Sequence, residues 1–174
     1  MSAIDDILAS TRHHTEKSLE IATTIRTNPQ AITDLFTALA HGTDPQKGTI
    51  ADAIENISKT HPDLLLPYLD TLIAHITYKA PHVTWGVQEA IGNLAASHPT
   101  EAAHALPTLL KNTRHPSTVV RWCAAYAITQ IALHDTKHQQ DLIKKMTSLA
   151  KKEQNNGVRN VYRKTLKALG HPLP

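Results

Sequence analysis

The chain has 174 residues, a single cysteine and an aromatic content of only 4%. This suits one domain with an aliphatic core and excludes a disulfide-stapled scaffold, because Cys123 has no intramolecular mate. The net charge of +3 hides two unlike parts: residues 1–110 carry 6 Lys/Arg against 12 Asp/Glu, and residues 111–174 carry 12 against 3. Such asymmetry points either to a polyanionic partner at the basic end or to two solvated surfaces that differ in sign.

Met1-Ser2-Ala3-Ile4-Asp5-Asp6 has neither the basic nor the apolar region of a secretion signal. No apolar run approaches the roughly 20 residues that cross a bilayer. The expectation is a cytoplasmic protein with no membrane contact. From Ala3 to Arg26 there is no Pro or Gly, and the apolar residues Ile4, Ile7, Leu8, Leu19, Ala22 and Ile25 are interrupted by Arg12-His13-His14. Residues 1–28 are therefore expected to form a long or interrupted helix that caps one end of the domain.

Residues 29–170 read as four helical hairpins, and 171–174 as a tail. The first member of the series, Gln30–Ala40, follows Asn28-Pro29 and runs to a stop at Gly42. The second helix of each hairpin follows one template. Val120, Cys123, Ala124, Ala127, Ile128, Ile131 and Ala132 fall at the spacing of a helix with one buried face. The same template started at Val83 selects Gly86, Val87, Ala90, Ile91, Leu94 and Ala95; started at Gln46 it selects Thr49, Ile50, Ala53, Ile54, Ile57 and Ser58. A last copy from Val158 gives Val161, Tyr162, Thr165, Leu166 and Leu169. Ile54, Ile91, Ile128 and Leu166 are equivalent, at steps of 37, 37 and 38 residues, the period of a stacked helical array.

Between these copies lie partner helices, expected at about Leu64–Tyr78, Glu101–Asn112 and Lys137–Lys151. Asp63 and Thr100 are expected to cap the first two of these, and Pro67 and Pro107 to bend them. Breaks at Gly42–Pro45, Ala80–His82, Arg114–Ser117 and Asn155–Gly157 are the turns within hairpins.

A turn followed by Val-Arg and a helix rich in small residues resembles the HEAT repeat, in particular the short bacterial and archaeal repeats of the phycobiliprotein-lyase type. Val120-Arg121 and Val158-Arg159 match fully, as do Ala124-Ala125-Tyr126-Ala127-Ile128 and Asn156-Gly157-Val158-Arg159; Val83-Thr84 keeps the Val, and Gln46-Lys47 only the charge. The likeness covers about residues 30–170. It implies an all-α, right-handed α-solenoid of about four hairpins behind the capping helix. It also implies that Arg121 and Arg159, with Lys47 in the equivalent place, bond carboxylates or turn carbonyls along the stack. It says little about function, because such repeats serve scaffolds, transport factors, lyases and nucleic-acid enzymes.

On that fold the repeated helices line a concave face, and their non-core positions form columns: Gly48, Trp85, Trp122, Asn160; Asp52, Glu89, Tyr126, Lys164; Glu55, Gly92, Thr129, Lys167; and Ala51, Gln88, Ala125, Arg163. The columns pass from acidic to aromatic to basic. This suits capture of a peptide or helix of another protein by Trp85, Gln88, Glu89, Trp122, Tyr126, Arg163, Lys164 and Lys167, with both tryptophans as anchors. Packing of Trp85 and Trp122 between repeats is the competing expectation.

The Trp85/Glu89 and Trp122/Tyr126 pairs, four residues apart, also resemble the aromatic cradle of HEAT-like alkylpurine DNA glycosylases, with the basic last repeat holding nucleic acid. An architectural homo-oligomer is a third possibility. No cofactor, metal or catalytic set is expected. Five of the twelve histidines (His61, His82, His98, His115 and His171) flank prolines and read as turn residues, the adjacent His13 and His14 are expected to point their rings apart, and His134 and His138, one helical turn apart, lack a third ligand.

Overall fold

The computed structural model describes residues 2–173; Met1 and Pro174, the outer ends of the expected cap and tail, lie outside the described residues. The fold is all-α, and no strand occurs among the described residues. Its Cα packing divides into two compact units, Met1–Ala90 and Ile91–Pro174.

In the first unit the capping segment is two helices, α1 (Ala3–Ala9) and α2 (His14–Thr27). Each opens with reciprocal bonds between the capping residue and the third helical residue: Ser2 with Asp5, and His13 with Glu16. A 3-10 turn at Pro29–Ala31 leads into α3 (Ile32–His41), and Thr43 caps α4 (Asp44–Ser58) by the same reciprocal device with Gln46. α2 packs extensively on α4, and Ile21, Ile25, Leu35, Leu39, Ile50, Ile54 and Ile57 are fully buried. Phe36 stacks on Tyr68 at 4.0 Å.

The next partner helix is not one α-helix. Pro62–Tyr68 is 3-10, and α5 begins only at Leu69 and ends at His75. Proline has no N–H to give and its ring crowds the carbonyl four residues back, so Pro67 holds its turn out of the α form. α6 (Pro81–Leu94) then runs across the boundary between the units.

In the second unit the following partner is broken in the same way, into α7 (Pro99–Ala103) and α8 (Leu106–Asn112), with Pro107 in the first turn of α8. The N-cap positions fall at His61 and His98, two residues before the expected Asp63 and Thr100. Neither N-cap residue caps the helix with its side chain, and Pro62 and Pro99 occupy first-turn positions that need no donor. α9 (Thr118–His134) and α11 (Asn156–Ala168) are capped by Ser117 and Asn155, and α10 (Gln139–Lys152) lies between them, unbroken because it contains no proline. α9 is packed by α7, α8, α10 and α11. Every residue of its expected stripe, Val120 through Ala132, is fully buried, Cys123 included. α11 closes at Gly170, whose φ of 74° only glycine adopts without strain; the His171 N–H reaches back to the Leu166 carbonyl at 2.9 Å.

In three of the four repeated helices a charged side chain near the start ties down the segment before it. Arg121 donates Nη1 to the carbonyls of His115 (3.0 Å) and Pro116 (3.2 Å), and Nε and Nη2 to the two oxygens of Glu153. Arg159 places Nε and Nη2 on the Glu153 carbonyl at 3.0 and 2.7 Å. Lys47, shorter and with a single head group, reaches one carbonyl, Ala40, at 3.0 Å and lies 5.1 Å from the centre of the Tyr78 ring.

Candidate functional site

The eight candidate residues divide between the units. In the first unit Trp85 is partly buried and its indole N–H, sealed from water, has no acceptor among the described residues. Glu89 is partly buried. Gln88 is fully buried, which corrects its place in the binding set: a side chain with no exposed surface cannot touch a partner at the protein's surface. Ala51 and Ala125, in the same column, are fully buried as well.

A cluster that the sequence did not reveal surrounds Trp85. The His82 ring lies 5.1 Å from the Trp85 ring and places Nε2 at 2.9 and 3.0 Å from the two oxygens of Asp52. His14 meets the same carboxylate at 3.6 Å and sets its ring edge-on to His82. The space for His82 exists because residue 48 is glycine. A Cβ there would come within 2.9 Å of His82 Nδ1. Glu55, another acid of these columns, is paired with Lys59 at 2.6 Å. Two of the three carboxylates read as the acidic side of a groove are therefore engaged by their own unit: Asp52 by two imidazoles and Glu55 by an ammonium.

In the second unit Trp122 is 38% exposed and lies parallel to Tyr126, one turn along α9, with ring centres 5.8 Å apart and planes 1° from parallel. Tyr126 is held at both ends. Its hydroxyl donates to Asn93 Oδ1 at 2.6 Å, and its ring fills the space beside Gly92, where a Cβ would come within 2.8 Å of Cε1. Tyr126 is thus a rigid support on which the exposed indole rests.

α11, packed along α9, contributes Arg163, partly buried, and Lys164 and Lys167, both exposed. None of the three has an ion-pair partner among the described residues. Cation and aromatic surface on neighbouring helices can hold a segment that offers carboxylates beside an apolar side chain.

The histidine pair considered as a metal site has another use. His138 Nδ1 pairs with the Asp135 carboxylate, which also accepts the Lys137 N–H at 3.1 Å, so the group shapes the turn before α10. No cluster of metal-ligating side chains occurs among the described residues, and no helix there is long and apolar enough to cross a membrane.

No family model matches the chain, and no curated protein sequence does. Among solved structures it is similar to the crystal structure of an engineered protein from the Northeast Structural Genomics Consortium. The match has a TM-score of 0.71 and 16% identity, over 95% of this chain and 78% of the engineered one. At that identity the likeness extends to the helical fold alone.

Proposed function

We propose that this chain is a non-catalytic, cytoplasmic HEAT-like scaffold, a right-handed solenoid of about four hairpins behind an N-terminal cap, that captures an acidic segment of another protein. The observation that carries the reading is the pre-set aromatic pair. Trp122 keeps more than a third of its surface in solvent while stacked on a tyrosine anchored by Asn93 and Gly92. An exposed aromatic whose position is already fixed loses little freedom on binding, and this favours affinity. The unpaired Lys164 and Lys167 give the occupant its sign. A segment bearing Asp or Glu beside a large apolar residue meets both features.

Affinity capture from the native cell, with the wild-type chain against a Trp122→Ala/Tyr126→Ala double variant, tests this. The partner should be lost with the double variant while the helical circular dichroism is unchanged; equal recovery of the partner by both would overturn the assignment. The unpaired cations also favour a second reading, binding of nucleic acid along the basic helices. It predicts capture of duplex DNA at low salt that falls steeply as salt rises, and absence of binding at low salt would dismiss it. Assembly with copies of itself has less support. Among the described residues the exposed large apolar side chains, Leu19, Val119, Trp122 and Leu173, are few, and the only two that neighbour each other along one helix, Val119 and Trp122, make a small patch of a kind ordinary on protein surfaces.

A further inference from the structure

The second unit contains a cavity of about 770 Å³ framed by α8, the turn before α9, α10 and α11. None of the partner-binding candidates lines it. Its size falls among small-molecule sites, which combine apolar walls with a few fixed polar groups. Here the walls include Leu110 from α8 and Leu149 from α10, both partly buried, and the side chain of Tyr162 from α11.

Tyr162 is 1% exposed as a residue; its hydroxyl makes no hydrogen bond to any described residue and, unlike the sealed Trp85 indole N–H, opens onto the cavity. Burial first, and the neighbouring Glu153 charge second, push the phenol well above its ordinary acidity range, so it stays protonated and can only donate when it meets an anion. A phenol that donates from the wall of a cavity can hydrogen-bond an oxygen of an occupant.

The charge around the cavity selects the occupant's sign. Glu153 is the one carboxylate in the lining, and both of its oxygens are already engaged, by Arg121 and by the Asn155 N–H at 2.8 Å. Lys111, Arg114 and Lys152 also line the cavity, are exposed, and have no ion-pair partner among the described residues. Lys145 joins them while paired with Asp141, which lies outside the lining. The field is therefore positive over an apolar interior.

We infer that this cavity is a binding site for a small organic acid with an apolar body: the chain lies between Leu110 and Leu149, an oxygen accepts from Tyr162 Oη, and the negative charge is held by Lys111, Arg114 and Lys152. The arrangement accounts for a phenol donor facing the cavity, uncompensated cations and an apolar lining with one ligand class, and it is independent of the Trp122–Tyr126 surface.

Isothermal titration of the full chain with decanoate, and with decanol as its uncharged counterpart, tests the inference. Decanoate should bind saturably and decanol much more weakly. Tyr162→Phe, which keeps the ring and removes the donor, should weaken decanoate by about 2–10-fold, the worth of one hydrogen bond. Lys111→Glu/Lys152→Glu, two exposed changes that leave the core untouched, should weaken it at least as much, and added salt should do so progressively. Absence of saturable binding by decanoate, equal binding of decanol, or undiminished binding by either variant would each overturn the inference.

Discussion

Replacing Glu153 by Gln tests the most concentrated set of polar contacts in the second unit. The carboxylate accepts Nε and Nη2 of Arg121 at 3.0 and 3.2 Å, and the two side chains are only 8% and 18% exposed. Burial alone would raise the carboxyl's pKa, but the hydrogen bond from Arg121, the Asn155 N–H and the Arg121 charge outweigh it and hold it below the usual 4.5. Glutamine keeps the shape and one acceptor but removes the charge, leaving the guanidinium with two turn carbonyls and no counter-ion. Removing one partner of a fully buried pair costs about 3–5 kcal/mol. The residual exposure of Arg121 and the retained amide oxygen bring the expected loss to about 1.5–3 kcal/mol, near the worth of one charge-assisted bond. For a chain of this size that is about 3–12 °C in Tm.

Urea unfolding at neutral pH should show a lower midpoint with an unchanged slope. The pH dependence has a definite sign. The depressed carboxyl pKa contributes stability that is present above the unfolded-state value and is lost as pH falls through the folded-state value. The gap between wild type and Glu153→Gln should therefore be full at neutral pH and close below about pH 4.5. A variant within about 0.5 kcal/mol of wild type at pH 7, inside the range of an ordinary surface change, would refute the claim that the pair anchors this turn. So would a gap that persists unchanged in acid.

Gly92→Ala should cost about 1–3 kcal/mol, because its Cβ has to displace a ring held at its far end by Asn93; thermal unfolding measures the loss, and the same variant should weaken partner capture by moving the support of Trp122. Lys47→Met should cost about 1–2 kcal/mol, since Lys47, a residue only 8% exposed, supplies one carbonyl bond and one aromatic contact; chemical denaturation would show it, and no loss would mean that the turn holds without Lys47.

The core was legible in the sequence because burial on a helix leaves a period. The stripe through Val120, Ala124 and Ile128 is read from spacing alone, and three copies at one interval leave little room for accident. The breaks were half legible. Pro67 and Pro107 announced that something must bend, but not that each partner would become two short pieces, since that depends on whether the neighbouring turn settles into 3-10 or α form. Gln88 was misjudged because a column was read by the polarity of one member, although alanines at 51 and 125 were the available sign of close helix approach. The His14–Asp52–His82 group lay beyond reach: its members are about 30 residues or more apart, and they meet through space that Gly48 leaves open. Tyr162 was correctly placed on the core stripe, but a stripe does not reveal that one buried hydroxyl opens onto a cavity.

The columns of mixed charge suggested a groove with an aromatic floor between an acidic and a basic side. The side chains remove that symmetry. Asp52 is held by two imidazoles and Glu55 by Lys59, so drawing a cation to them would first require breaking contacts already made. Lys164 and Lys167 give up nothing of that kind when they meet a carboxylate. Exposed ion pairs contribute only about 0–1 kcal/mol each, so these lysines mainly select and orient, and the affinity has to come from the indole resting on Tyr126. It follows that reversing Lys164 and Lys167 to Glu should slow association and lower its salt dependence, whereas removing Trp122 should speed dissociation. If the two changes affected the same rate constant, aromatic anchor and basic helix would not have separate roles.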